Sequence, residues 1–261
     1  MHRWLDASKA APLEEIRASF LENGYARVGQ VLNEEGQAAL RARAREIMLG
    51  EVRYEGMFFQ LDTTSGSYDD LVFGQGYEGP SENYRKIEKM ERDPLYREWL
   101  ENPLFETIAR SLIEDEIVLY RAVLFSKKNQ GGTYLPWHQD GGKFWGLSRD
   151  PYLQIWTAID DVPAESGCVE VVPKSHTKLV TPLGGVVPKN FLEAHEPEKH
   201  AVALPARAGE VLLIHNLLWH RSHANQTNEM RRAFTVCYMS EKTECLRTKR
   251  TKRVFVPVFR H

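Results

Sequence analysis

The spacing of apolar positions changes character partway along the chain. Leu13, Ile16, Phe20 and Leu21 recur at helical intervals, and Gly24 stands where a left-handed residue would close that helix. Residues 24–28 then predict a short strand, and Asn33 the N-cap of a second helix passing through Leu40 and Ile47 to about Leu49. Residues 50–83 are rich in Gly, Ser, Asp and Tyr with weak periodicity, which predicts a long irregular insertion of the kind that forms lids. Asp93-Pro94 and Asn102-Pro103 each set a capping side chain before a proline at a first helical position, so two more helices start there. Past residue 115 the apolar residues come in short β-branched and aromatic runs, at 117–125, 152–159, 169–172, 211–214 and 233–239. Gly131-Gly132, Gly141-Gly142 and Gly184-Gly185 punctuate them. Helices first and many strands later predict a helical part over about 1–114 packed on a β sandwich or barrel over about 115–261, within one large domain.

Composition narrows the partners. The 34 basic and 36 acidic residues nearly cancel, which weighs against nucleic acid as the main partner. Cys168, Cys237 and Cys245 form no CxxC pair and are odd in number, so neither a disulfide framework nor a cysteine zinc site is expected. No apolar run approaches the roughly 20 residues of a membrane helix, and residues 1–11 lack the apolar stretch of a signal peptide. A soluble, cytoplasmic protein acting on a small molecule, away from membranes, is the expectation. The basic run at 247–253 reads as a solvated strand edge or tail.

The chemistry concentrates in two segments. In Pro136-Trp137-His138-Gln139-Asp140-Gly141-Gly142, an extended backbone would turn His138 and Asp140 to the same side, supplying two corners of a 2-His-1-carboxylate metal site. An H-x-D pair alone often arises by chance. The second segment changes that: a turn at Ala208-Gly209-Glu210 feeds the buried strand at 211–214, which delivers His220. Arg231 begins a further strand, and antiparallel pairing could set its guanidinium beside the metal, where a planar cation suits the far carboxylate of a dicarboxylic cosubstrate.

These segments resemble the phytanoyl-CoA dioxygenase family of iron(II)/2-oxoglutarate oxygenases. That family shows His-Gln-Asp, then a Trp strand with an Asp-Asp turn, then Asn-Gly-Cys-Leu and Pro-Gly-Ser-His, then His-x-Ser-x-x-Asn followed by Arg. Here the middle is Trp156-Thr157-Ala158-Ile159-Asp160-Asp161 and Ser166-Gly167-Cys168-Val169, then Pro173-Lys174-Ser175-His176. Ser166 and Lys174 depart from the family's Asn and Gly. The resemblance covers roughly residues 15–240. It implies a double-stranded β-helix (jelly-roll) core of about eight strands with flanking helices. It implies Fe(II) held by His138, Asp140 and His220, with 2-oxoglutarate contacted by Arg231, Ser222, Trp156 and Lys86. The implied reaction consumes O2 and 2-oxoglutarate, releases succinate and CO2, and hydroxylates a C–H bond. Halogenating relatives carry a small residue where Asp140 stands, so a carboxylate there favours hydroxylation. Desaturation, cyclisation or epoxidation, action on a macromolecule, and a metal-binding jelly roll without turnover are the alternatives.

Other polar residues have plainer readings. His176 is expected to be structural, His223 to point away from the metal, and His215 to be a satisfied core histidine. Asp160 and Asp161 are expected to cap backbone amides, Asn225 and Thr227 to brace the loop after His220, and Phe144 and Trp145 to wall a pocket or pack in the core. Substrate specificity is expected in residues 50–83, 143–149 and 180–200.

Overall fold

The computed structural model describes residues 2–74, 76–248 and 252–259. Helices α1 (Leu13–Asn23) and α2 (Glu34–Leu49) flank β1 (Tyr25–Gln30), and β2 (Phe58–Leu61) and β3 (Tyr84–Glu88) precede α3 (Pro94–Leu100) and α4 (Pro103–Leu112). Then come β4 (Ile117–Lys127), β5 (Leu135–Gln139), β6 (Leu153–Ala158), β7 (Val169–Val171) and β8 (Gly185–Val186), followed by α5 (Lys189–His195). Strands β9 (Val202–Leu204), β10 (Glu210–His215), β11 (His220–Ser222), β12 (Arg231–Ser240) and β13 (Val256–Pro257) complete the order.

The expected caps form. Asn33 accepts from the Gly36 amide at 2.9 Å, while Asp93 and Asn102 each accept from two amides of the proline-led turns they precede. Gly24 ends α1 at φ 81°, a conformation that costs glycine nothing sterically.

An 8-stranded sheet runs β1-β10-β6-β12-β4-β3-β2, with β13 also on β4, and a 5-stranded sheet runs β8-β5-β11-β7-β9. From β4 onward the chain passes between the sheets: β4, β6, β10 and β12 fall in the larger, and β5, β7, β9 and β11 in the smaller. That alternation is a double-stranded β-helix. Three strands from before residue 115 extend the larger sheet at its edges, so the segment expected to be helical also builds the β core. One of them, β2, lies inside the stretch expected to be irregular.

Helices cover the outer face of the larger sheet. Ile16, Phe20, Leu40, Ile47, Trp99 and Phe105 pack there against Leu124, Ile155, Leu213 and Phe234. The fully buried Trp99 donates its Nε1 proton to Thr157 Oγ1 at 3.0 Å, satisfying both polar groups inside the core. The inner face carries a second, smaller apolar cluster between the sheets, containing Trp156, Ala158, Cys168, Val171, Leu204, Leu212 and Ala233. The space between the sheets also holds the polar side chains described next. All three cysteines are buried and free. Among the described residues no helix is long and apolar enough to cross a membrane.

Candidate metal centre

His138 lies on β5 and His220 on β11, directly opposite in an antiparallel register. Their ring centroids are 4.0 Å apart. Asp140 sits just past the end of β5, where its amide donates to the Asn216 carbonyl at 2.7 Å and Asn216 Nδ2 returns a bond to its carbonyl at 3.2 Å. Gly142 then turns the chain away at φ 90°, and a Cβ there would come within 2.6 Å of the Thr181 carbonyl. Gln139, facing the other way, bonds the Lys178 and Leu217 carbonyls and the Val180 amide, which fixes the strand end.

One ligand atom from each of His138, Asp140 and His220 lies within 4.8 Å of the others, and His220 Nε2 is 3.9 Å from Asp140 Oδ2. His138 Nδ1 is 2.8 Å from the Pro136 carbonyl and His220 Nδ1 is 2.8 Å from the Leu218 carbonyl. A carbonyl accepts only, so each Nδ1 carries a proton and Nε2 is the nitrogen left to face a metal. Burial pushes the His138 pKa down to about 4, His220 adding to the effect, so the ring is neutral near pH 7. Burial opposes the charge on Asp140, but the Arg121 guanidinium, then His220 and His138, hold its carboxyl well below the usual carboxylate range. Two imidazoles and one carboxylate are the donor set that a facial triad would use.

Arg231 opens β12, opposite Lys127 of β4, in the larger sheet. Its strand pairs antiparallel, as expected, but the partner is not the strand carrying His220. Strand β12 pairs with β4 and β6, and Arg231 enters the interior from the facing sheet. The side chain is 4 % exposed, lies 5.7 Å over Trp156, and neither Nε nor Nη2 has a hydrogen-bond partner among the described residues. Burial lowers its pKa to about 10, still cationic near pH 7. Nearby Lys127 donates to the Thr133 carbonyl at 2.6 Å, and burial, then Arg231, hold its pKa well below that of an ordinary lysine. A buried guanidinium with two unpaired nitrogens fits a bound anion and little else.

Ser222 is buried two positions beyond His220 on β11. Lys86 lies on β3 opposite Phe125, and its ammonium forms an ion pair with Glu88 of the same strand.

The three other histidines weighed from the sequence lie apart from this cluster. His215 accepts from the Leu217 amide at 3.0 Å and packs beside Phe20, Tyr152 and His176. His176 Nε2 is 3.3 Å from the Leu21 carbonyl, and His223 turns outward, 3.5 Å from Glu170. Asp161 caps the Ala208 amide at 2.8 Å. Asp160 does more than cap an amide: it also binds the Arg232 and Arg41 guanidinium groups at 2.7 and 2.8 Å. Asn225 and Thr227 brace the loop through bonds to each other and to the Glu229 carbonyl. Trp145 is buried, whereas Phe144 is exposed and stacks on Phe73 of the insertion at 6.4 Å. Of the basic run, Lys249, Arg250 and Thr251 lie outside the described residues; Arg253 is not simply solvated but packs over Tyr120 at 4.7 Å.

Two residues escaped the sequence reading. Arg121 Nη2 and Gln154 Nε2 both donate to Asp140 Oδ2 at 2.8 Å. Each is a strongly polar side chain within an otherwise apolar strand run, and a buried polar group demands a partner, so the signal was available.

Residues 20–233 match the sequence profile of the phytanoyl-CoA dioxygenase (PhyH) family. Phytanoyl-CoA dioxygenase domain-containing protein 1 of Mus musculus is 30% identical over 156 residues, 56% of this chain and 53% of that protein. The match thus spans about half of that relative's length. EctD from S. alaskensis with 2-oxoglutarate and 5-hydroxyectoine superposes with a TM-score of 0.73 at 20% identity, covering 92% of this chain and 83% of that one. The epimerase SnoN with Fe3+, alpha ketoglutarate and nogalamycin RO gives a TM-score of 0.72 at 20% identity over 95% and 96%. These two likenesses show the fold; the profile match over most of the chain shows the lineage. The chain belongs to the phytanoyl-CoA dioxygenase family.

Proposed function

We propose that this protein is an iron(II)- and 2-oxoglutarate-dependent dioxygenase that hydroxylates a C–H bond of a small molecule. The observation that carries the proposal is the convergence of His138, Asp140 and His220 within 4.8 Å. In this reading the three side chains hold Fe(II) on one face and leave its other positions open. Bound iron with 2-oxoglutarate and O2 supplies the oxidising power, and 2-oxoglutarate leaves as succinate and CO2. The chain's own task is placement. Arg231 grips the far carboxylate, with Trp156 and Ser222 lining the same space. Lys86, which holds an ion pair with Glu88, is the fourth residue of this grip.

The strand that carries His138 pairs with β8, and a concavity of about 320 Å³ lies against these strands, lined by Ser67, Tyr68, Asp69, Tyr134, Pro136 and Val186. A space of that size lies in the range of small-molecule pockets. Ser67, Tyr68 and Asp69 belong to the insertion at 50–83, which supports placing substrate selection there.

Anaerobic Fe(II) and 2-oxoglutarate titration, followed by a screen of succinate release against a metabolite panel, tests the proposal. Release that rises with one compound, together with its hydroxylated product, is the expected result. Metal binding without any 2-oxoglutarate binding would favour a metal-binding jelly roll without turnover. SnoN, of the same fold, is an epimerase, so the product must be identified rather than assumed.

A further inference from the structure

We propose that Arg121 is a positioning residue for Asp140, fixing the orientation of the metal-binding carboxylate together with Gln154 and itself fixed by an aromatic stack. The inference rests on the metal reading above and adds a residue to it. Arg121 on β4 and Gln154 on β6 are both register partners of Cys237 on β12, so they stand in one row across three hydrogen-bonded strands. From that row each donates to the same oxygen, Asp140 Oδ2, at 2.8 Å. Two donors on one oxygen, anchored on a sheet that does not carry Asp140, restrain both rotation and tilt of the carboxylate.

Arg121 is in turn held from its other side. Its guanidinium lies 4.3 Å over the Trp145 ring, and Trp145 stacks on Tyr120 at 5.0 Å and 25°. Arg253 caps the stack 4.7 Å over Tyr120 and donates to the Tyr120 carbonyl at 2.8 Å, while β13 pairs with β4 beside it. The register of β4 on β12 shifts at this point: Cys237 opposes Arg121 and Tyr238 opposes Leu119, leaving Tyr120 as the extra residue. A bulge of this kind re-aims side chains and is common beside active sites. Here it gives consecutive residues two tasks, with Tyr120 supporting Trp145 while Arg121 reaches Asp140.

Cobalt(II) added to the metal-free protein reports site geometry through its visible d–d absorption. Wild-type protein that binds no cobalt(II) would defeat the metal reading itself. If wild type binds, Arg121→Met should weaken cobalt(II) binding roughly 10- to 100-fold, the range usual for partners of metal ligands, and alter the absorption band. Arg121→Lys should recover part of both, and Trp145→Leu should shift both in the same direction by less. Wild-type affinity and spectrum in Arg121→Met would overturn the proposal. Should Arg121→Met fail to fold, judged by thermal unfolding without metal, Gln154→Leu and Trp145→Leu decide: unchanged affinity and spectrum in both overturns it as well.

Discussion

Arg231 and Arg232 are chain neighbours whose guanidinium groups leave β12 on opposite faces. Arg232 binds Asp160 at 2.7 Å on the helix side, and Arg231 is buried in the interior over Trp156, its Nε and Nη2 unpaired among the described residues. Alternation along a strand separates their roles.

Arg231→Ala should therefore weaken 2-oxoglutarate binding by about 2–5 kcal/mol, the usual cost of stripping one partner from a desolvated charge pair. Arg231→Lys should be intermediate, since an ammonium lacks the planar fork. Arg232→Ala should leave 2-oxoglutarate affinity close to wild type while lowering stability. Calorimetric titration beside urea unfolding separates the two; loss of affinity in Arg232→Ala alone would assign the grip to the wrong arginine.

Asp140→Ala removes the anionic metal donor and also leaves the partly buried Arg121 without its counter-charge. Iron content after reconstitution should collapse, and succinate release with it. The metal-free variant should be destabilised by about 1–3 kcal/mol, less than the cost of breaking a fully buried pair because water reaches both groups. Metal analysis and unfolding of the same preparation check both, and retained turnover would mean another carboxylate serves the metal.

Burial also sets a pH dependence. His138 and His215 have pKa values pushed down from 6.5 to about 4 and about 3. Between about pH 6.5 and 4 the unfolded chain binds protons that the folded chain refuses. Stability of the metal-free protein should thus fall as pH falls through that window, by up to roughly 3 kcal/mol for each histidine. Urea midpoints at pH 7 and pH 5 test this; a flat profile would show that these rings are hydrated.

Trp99 and Thr157 tie α3 to the sheet behind the site. Trp99→Phe should leave the Thr157 hydroxyl unpaired in the core and cost about 1–3 kcal/mol. Adding Thr157→Val should recover part of that loss, because no polar group would then be stranded. Denaturant unfolding of the single and double variants measures it.

Local rules written into the sequence determined much of this molecule. Capping at Asn33, Asp93 and Asn102 and closure of α1 at Gly24 depend on neighbours a few residues away, so they are legible one segment at a time. The triad was legible because His138 and Asp140 share one extended segment and because the family's ordered motifs pointed to His220 and Arg231. Which strand faces which was decided only by the tertiary structure. Residues 117–125 and 233–239 announce strands, but nothing in their order says that β12 lies between β4 and β6, or that Arg231 approaches from the sheet opposite His220. Arg121 and Gln154 are as visible in the sequence as His138, yet they acquire a partner only when the two sheets close over Asp140. The physical reason is range: a cap or a period is set by contacts a turn apart, whereas register and sheet order are set by the burial of faces that meet only in the folded chain.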